Sequence, residues 1–359
     1  MSSYDNALNA DPALIERMGA DRQTILYRET ETFFMNRCLE EYENNRQKCW
    51  NRDYSSVEAY VASIERNRTN WMQLLGNYKV MTEDMAAETE PFYEDNNVKA
   101  EYLSIRLSDE LRGRGILALP KKLSGAVPLV ICQHGYSTTP ENCFGFNDPG
   151  QPHHAYARRL AESGYAVLAP YNILMGDPRA RFHRYGSLIK KTLFGLEAFR
   201  ISRFLNYFET IPQIDSQRIA MWGLSLGGTA TIFTAALDVR IKVSIIAAWF
   251  NDRLKRLIIE DYHRASYLVE GVAEHLYLHG WMLEFGDSDL VSLICPRAVQ
   301  VQAGQCDSSV WWPDAVAEFK RAKEHYTRLG IDDNCELNLH KNGHEVDLKG
   351  GMAFLKKHL

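Results

Sequence analysis

Residues Arg218–Thr231 read RIAMWGLSLGGTAT, and the fold turns on how they are read. Ile219–Trp222 is a short apolar strand. Gly223-Leu224-Ser225-Leu226-Gly227-Gly228 is a tight turn, and the small residues after it open a helix. A Gly-x-Ser-x-Gly turn between strand and helix lifts the serine hydroxyl out of the sheet, where a base can reach it. The hydroxyl is a poor nucleophile unless its proton is taken as it attacks. Gly223 and Gly227 leave room for crowded backbone. A helix opening at this point aims its first N–H groups, and the positive end of its dipole, at charge developing beside Ser225. Gly and Ser are common, so the motif alone is weak. The preceding strand and the Gly-Gly pair set it apart from an ordinary glycine-rich turn.

Working outward, Val127–Gln133 (VPLVICQ) is a continuous apolar run, the pattern of a strand buried on both faces. His134-Gly135-Tyr136 follows it directly. Val98–Leu107 alternates, and Gly113–Leu119 is its partner, ended by Pro120. Ala155–Ser163 reads as helix, Tyr165–Pro170 as the next buried strand, and Leu188–Phe208 as helix. After the serine turn come strands Ile241–Ala248 and Arg297–Val301, helix Pro313–Leu329, strand Glu336–Leu339 and a last helix, Leu348–Leu359. This alternation predicts an α/β fold, a mostly parallel sheet flanked by helices on both faces. In such sheets sites form at the carboxyl ends of strands.

Residues 1–97 differ in character. They are rich in Glu, Arg, Asn, Tyr and Trp, with Leu14, Met18, Ile25, Phe33, Phe34, Cys38 and Tyr42 near helical spacing. Val57, Tyr60, Val61, Ile64, Trp71, Leu74 and Leu75 repeat the pattern after a break, and Ser56 is placed to cap a helix. The reading is an N-terminal helical extension of two or three helices, a structural cap or a dimer contact, joined by a loop over Met81–Asn97. The alternative gives aromatics such as Trp71 a place in the wall of a substrate pocket.

With 359 residues, 45% hydrophobic and 24% charged, the chain suits one large α/β domain, 98–359, plus that extension. A net charge of −5 argues against a nucleic-acid surface. No apolar run approaches the length of about 18 residues that spans a bilayer. The first residues, MSSYDNALNADPALIERMG, lack the basic and apolar regions of a signal peptide. Seven scattered cysteines, without zinc spacing, fit reduced thiols in a cytoplasmic protein.

Ser225 needs a base within hydrogen-bond reach. Of eleven histidines, His344 in Asn342-Gly343-His344-Glu345 follows the last strand on a glycine-permitted turn. The base in turn needs a carboxylate to fix its tautomer. Asp307, after Ala303-Gly304-Gln305-Cys306, is the candidate, with Asp252 and Asp314 as rivals; Asp314 also suits a helix cap. The chain order is then Ser225, Asp307, His344. The oxyanion donors expected are the N–H groups of Leu226 and of Tyr136, with His134 ordering the loop that carries Tyr136.

Four stretches carry a resemblance: ILALPKKLSGAVPLVICQHG (116–135), RIAMWGLSLGG (218–228), DLVSLICPRAVQVQAGQCD (289–307) and NGHE (342–345). Over about residues 98–359 the chain resembles the α/β-hydrolase superfamily. More narrowly it is similar to bacterial acetyl xylan esterases, cephalosporin deacetylases and dienelactone-hydrolase-like esterases. The resemblance implies Ser225 as nucleophile, Asp307 as acid, His344 as base and Tyr136 and Leu226 as oxyanion donors. It implies a serine esterase that cleaves a small acyl or acetyl ester through an acyl-enzyme, with no cofactor. True dienelactone hydrolases carry cysteine at the elbow, and this chain carries serine. A serine peptidase or amidase, a carbon–carbon bond hydrolase and a non-catalytic binding protein remain as alternatives of the same fold.

Two stretches could select the substrate. Asn172–Gly186, read as a loop, holds Arg179, Arg181, His183 and Arg184, which could clamp a substrate carboxylate or simply form a solvated, salt-bridged surface. Residues 249–289 form an insertion that could cover the site as a lid, with Trp249, Phe250, Tyr262, His263 and Trp281 as aromatic lining. His275 and His279 are four apart but lack the glutamate of a zinc helix, so no metal is expected. The substrate expected is a small-molecule ester, with neither nucleic acid nor membrane as partner and a homodimer suggested by the aromatic N-terminal helices.

Overall fold

The apolar runs from Val127 onward become neighbouring strands of a single nine-stranded sheet. The computed structural model describes residues 12–148, 150–172, 177–260, 266–268 and 273–359. The elements begin with α1 (Pro12–Cys49), α2 (Val57–Ser63), α3 (Glu65–Leu75), β1 (Glu88–Glu94), β2 (Val98–Arg106), β3 (Arg112–Pro120) and β4 (Val127–Gln133). Next are α4 (Pro140–Cys143), α5 (Tyr156–Glu162), β5 (Ala166–Pro170), α6 (Asp177–Leu188), α7 (Leu193–Phe208), β6 (Ile214–Leu224) and α8 (Leu226–Leu237). The chain ends with β7 (Ile241–Ala247), α9 (Arg253–Ile258), α10 (Asp287–Ile294), β8 (Ala298–Gly304), α11 (Trp312–Arg328), β9 (Cys335–His340) and α12 (Leu348–His358).

The strand order is β1-β2-β3-β5-β4-β6-β7-β8-β9. The first four strands in that order pair antiparallel; from β5 onward every pair is parallel. Parallel strands need crossovers, and the helices that supply them cover both faces. One face buries Trp71, Phe204, Phe233 and Trp281; the other buries Tyr156, Trp222 and Phe354. The carboxyl ends of β4, β6, β7, β8 and β9 therefore share one edge.

The N-terminal helices form where capping and periodicity place them. The Ala59 N–H donates to Ser56 Oγ (3.1 Å) at the start of α2, and α3 stops at Gly76, whose φ of 111° suits only glycine well. Trp71 is fully buried, and its indole N–H donates to the Phe233 carbonyl (3.3 Å). It therefore acts in the cap that packs α3 on α8.

Two segments depart from expectation. The acidic stretch Met81–Asn97 holds a strand, β1, paired with β2 from Glu88↔Ser104 onward. The sheet thus begins at residue 88, inside the segment assigned to the helical extension. β1 is an edge strand, exposed over Glu88–Pro91, and its glutamates face water where they blunt edge pairing. Such a strand has no apolar alternation to detect. Likewise residues 177–186 of the stretch read as a loop are helical, as part of α6. Its buried positions are Arg179, Ala180 and His183, so no hydrophobic stripe marks it. Among the described residues no helix is long and apolar enough to cross a membrane.

Candidate active site

Ser225 stands between β6 and α8 with φ 59° and ψ −118°. A non-glycine residue there costs about 1–3 kcal/mol and persists only when its surroundings hold it. Two backbone bonds do so. The Ser225 N–H donates to the Ala247 carbonyl (2.8 Å), and the Ser225 carbonyl accepts from the Thr229 N–H (3.1 Å). The flanking glycines are demanded by contact. A Cβ on Gly223 would overlap the Gly227 carbonyl, and a Cβ on Gly227 would overlap the Gln133 carbonyl.

Asp307 lies three residues beyond β8, and His344 four beyond β9. The loops carrying them are tied together. The Cys306 N–H donates to the Asn342 carbonyl (3.0 Å), the Gln305 N–H to the His340 carbonyl (2.8 Å), and Gly304 packs against the Asn342 and Gly343 carbonyls. His344 Nδ1 is 3.0 and 2.9 Å from the two oxygens of Asp307, which is fully buried. In this contact a carboxylate can only accept, so Nδ1 is the donor, and in the neutral ring that arrangement leaves Nε2 as the acceptor. The structure brings Asp307 and His344 together. Ser225 occupies the same sheet edge, two strands away from Asp307, and among the described residues no hydrogen bond joins its hydroxyl to His344. Hydrogen bonds of this kind are often long before substrate binds.

Two supports of the acid escaped the sequence reading. The Ser309 and Val310 N–H groups donate to Asp307 Oδ1 (2.6 and 3.1 Å). The signal was present, since an Asp followed by Ser-Ser favours such a local turn. Long-range contacts left no such signal: His154 pairs with Glu345 (3.2 Å), and the Val346 N–H donates to the Pro152 carbonyl (3.0 Å).

On the other flank, a Cβ at Gly135 would lie 3.6 Å from Ser225 Cβ, so the loop after β4 passes beside the serine. His134 is buried and orders this loop, as expected. Its Nε2 accepts from the Asn172 N–H (3.0 Å), which forces the ring proton onto Nδ1, bonded to the Gly135 carbonyl (2.8 Å). Burial holds the ring neutral, with a pKa pushed down to about 3. Leu226 is buried as the first residue of α8, where helical N–H groups lack intrahelical partners. Tyr136 is partly exposed at 36%.

Residues 69–272, more than half of the chain, match the family described as acetyl xylan esterase (AXE1). The chain belongs to that family. It is 28% identical over 211 residues to the Bacillus subtilis (strain 168) protein named "Putative hydrolase YtaP", covering 55% of this chain and 66% of that protein. An uncharacterized 31.7 kDa Escherichia coli protein is 27% identical over 168 residues, covering 46% and 53%. The chain thus spans between about half and just under two thirds of these relatives' lengths. Among solved structures it is similar to one described as a "putative acetyl xylan esterase" from Bacteroides fragilis, with TM-score 0.65 and 15% identity over 81% of this chain and 77% of that one. It is also similar to the glucuronoyl esterase from Solibacter usitatus, with TM-score 0.64 and 14% identity over 84% and 93%. These likenesses establish the fold as the α/β-hydrolase fold.

Burial removes Arg179, Trp249, Phe250 and Trp281 from the substrate contacts expected from the sequence. Arg179 is fully buried, and its guanidinium is held by both Glu197 oxygens (2.7 and 3.1 Å). Arg184 is paired with Glu274 (2.8 Å). The Arg179 charge is committed to Glu197 inside the protein and forms no substrate clamp, whereas the Arg184 pair lies exposed on the surface. Trp249, Phe250 and Trp281 are 4%, 1% and 1% exposed. Trp249 is stacked under the Arg253 guanidinium (3.8 Å), while Trp281 packs edge-on to Phe233 (5.4 Å). The described part of the 249–289 insertion thus contributes aromatic core; Tyr262 and His263 lie outside the described residues. The rival acids serve elsewhere. Asp252 caps α9 and both Asp252 and Asp314 pair with Lys255 (3.2 Å each). The cap residue of α11 is Trp311, and Asp314 lies in its first turn.

Proposed function

We propose that the protein is a serine carboxylic-ester hydrolase acting on a small acyl or acetyl ester. The observation that carries this reading is the double contact of buried Asp307 with His344 Nδ1, on the sheet edge that also holds the strained elbow at Ser225. Ser225 Oγ attacks the ester carbonyl while His344 Nε2 takes its proton. The N–H groups of Leu226 and Tyr136 hold the resulting oxyanion. His344 then gives the proton to the departing alcohol and an acyl-enzyme remains. Water, deprotonated by the same nitrogen, releases the acid and restores Ser225. Family membership and the esterase names of the similar structures support an ester as substrate. Seven free cysteines support a reducing compartment such as the cytoplasm.

The test is turnover of short-chain p-nitrophenyl esters beside amide and vinylogous diketone substrates. Ser225→Ala and His344→Ala each lose several orders of magnitude on the esters. Unchanged ester turnover in Ser225→Ala overturns the reading. Preference for the amide or the diketone moves it to the corresponding hydrolase class.

A further inference from the structure

The helix α1 leaves the body of the protein. Its C-terminal end is fastened: Tyr42 is buried, Arg46 pairs with Asp289 (3.0 Å), and the Trp50 indole N–H donates to the Glu284 carbonyl (2.9 Å). Every residue from Ile15 to Glu41 is exposed. That arm is about 40 Å long at 1.5 Å per residue. Ile15, Met18, Ile25, Leu26, Phe33 and Phe34 along it are each between 48% and 62% exposed. A soluble monomer rarely shows contiguous apolar surface beyond a few hundred Å², and an isolated helix gains little stability in water from propensity alone.

We infer that this arm is an interface with a second copy of the same chain, paired antiparallel about a twofold axis near Ile25 and Leu26. At about 100° per residue, Ile15, Met18, Ile25, Leu26 and Phe33 lie on one stripe roughly 100° wide. Arg22 and Glu29 lie on that stripe too. An antiparallel pairing centred between residues 25 and 26 brings Arg22 of each arm to the height of Glu29 on the other. It sets Met18 level with Phe33 and joins Ile25 to Leu26 at the centre. A parallel pairing would oppose Arg22 to Arg22 and Glu29 to Glu29. The stripe is therefore self-complementary in one direction only, as a twofold interface requires.

Tyr27, Phe34, Met35 and Leu39 are exposed as well but lie outside this stripe, so the pairing leaves them uncovered. A lipid surface is the poorer occupant. The arm's charges are mixed in sign, with Glu16, Asp21, Glu29, Glu31, Glu40 and Glu41 among Arg17, Arg22, Arg28 and Arg37, and no basic face is offered to anionic lipid.

Analytical ultracentrifugation of the full chain tests this. The wild type sediments at twice the 41.1 kDa chain mass. Leu26→Asp sediments as a single chain, with near-UV circular dichroism unchanged to show that the body is folded. Arg22→Glu alone and Glu29→Arg alone each weaken the dimer about tenfold or more, and the double reversal R22E/E29R restores it. A wild type that is monomeric at micromolar concentration overturns the proposal. So does a double reversal as weak as the single ones, or a monomer that floats with anionic vesicles.

Discussion

Gly227, in the first turn of the helix after Ser225, touches the backbone of Gln133 at the end of β4 so closely that a Cβ would overlap the Gln133 carbonyl oxygen. The serine and the loop that passes beside it are thereby locked into one rigid unit. Gly227→Ala must push α8 away from β4. It should cost about 1–3 kcal/mol of stability and about 100-fold in ester turnover through misplacement of Ser225. Thermal unfolding together with turnover of p-nitrophenyl acetate checks both.

Asp307→Asn keeps the two N–H donors at Oδ1 but presents an amide to His344 Nδ1. The ring proton is then driven to Nε2, where it blocks the base. Turnover, as kcat, should fall about 10⁴-fold with KM little changed. Steady-state kinetics on a short-chain ester decides; a loss smaller than about tenfold would remove Asp307 from the reaction.

Arg179→Ala leaves Glu197 buried without its cation. The cost should be about 3–5 kcal/mol, read by urea unfolding. The ratio of rates on acidic and neutral esters should not move, because the guanidinium faces protein. A changed ratio would return Arg179 to the substrate.

Glu318 sits in α11 beneath the anchored end of α1 and accepts from the Ser288 N–H (2.8 Å). Burial raises its pKa from the ordinary 4.5 to about 7. The folded state therefore holds this proton more tightly than the unfolded chain. Stability from it is complete below about pH 4.5 and is lost as pH rises through about 7, by up to about 3 kcal/mol. Glu318→Gln keeps the acceptor and removes the titration. Urea unfolding at pH 5 and pH 8 should show a decline in the wild type that the variant reduces.

The strands were readable wherever burial on both faces left a continuous apolar run, as in Val127–Gln133, whose bounds match β4. The glycine requirements of the elbow were readable because a turn between strand and helix has few solutions. The edge strand β1 was not, since one of its sides meets water and its glutamates erase alternation. The substrate-facing residues failed for a different reason. Composition marks Arg179 and Trp281 as notable, yet only three-dimensional neighbours, Glu197 for one and Phe233 for the other, reveal that each is satisfied inside the protein. A loop position such as His344 is legible as chemistry, whereas the pairing of His154 with Glu345 beside it depends on two distant loops meeting.

The acyl-enzyme is tested most simply by the mass of the protein trapped during turnover. Incubation with p-nitrophenyl acetate, acid quench within the first turnover and peptide mass spectrometry should find an acetyl group on the peptide carrying Ser225. The Ser225→Ala protein should carry none. Rapid ester cleavage with no acyl group on that peptide, or with the acetyl group on another side chain, would contradict the account.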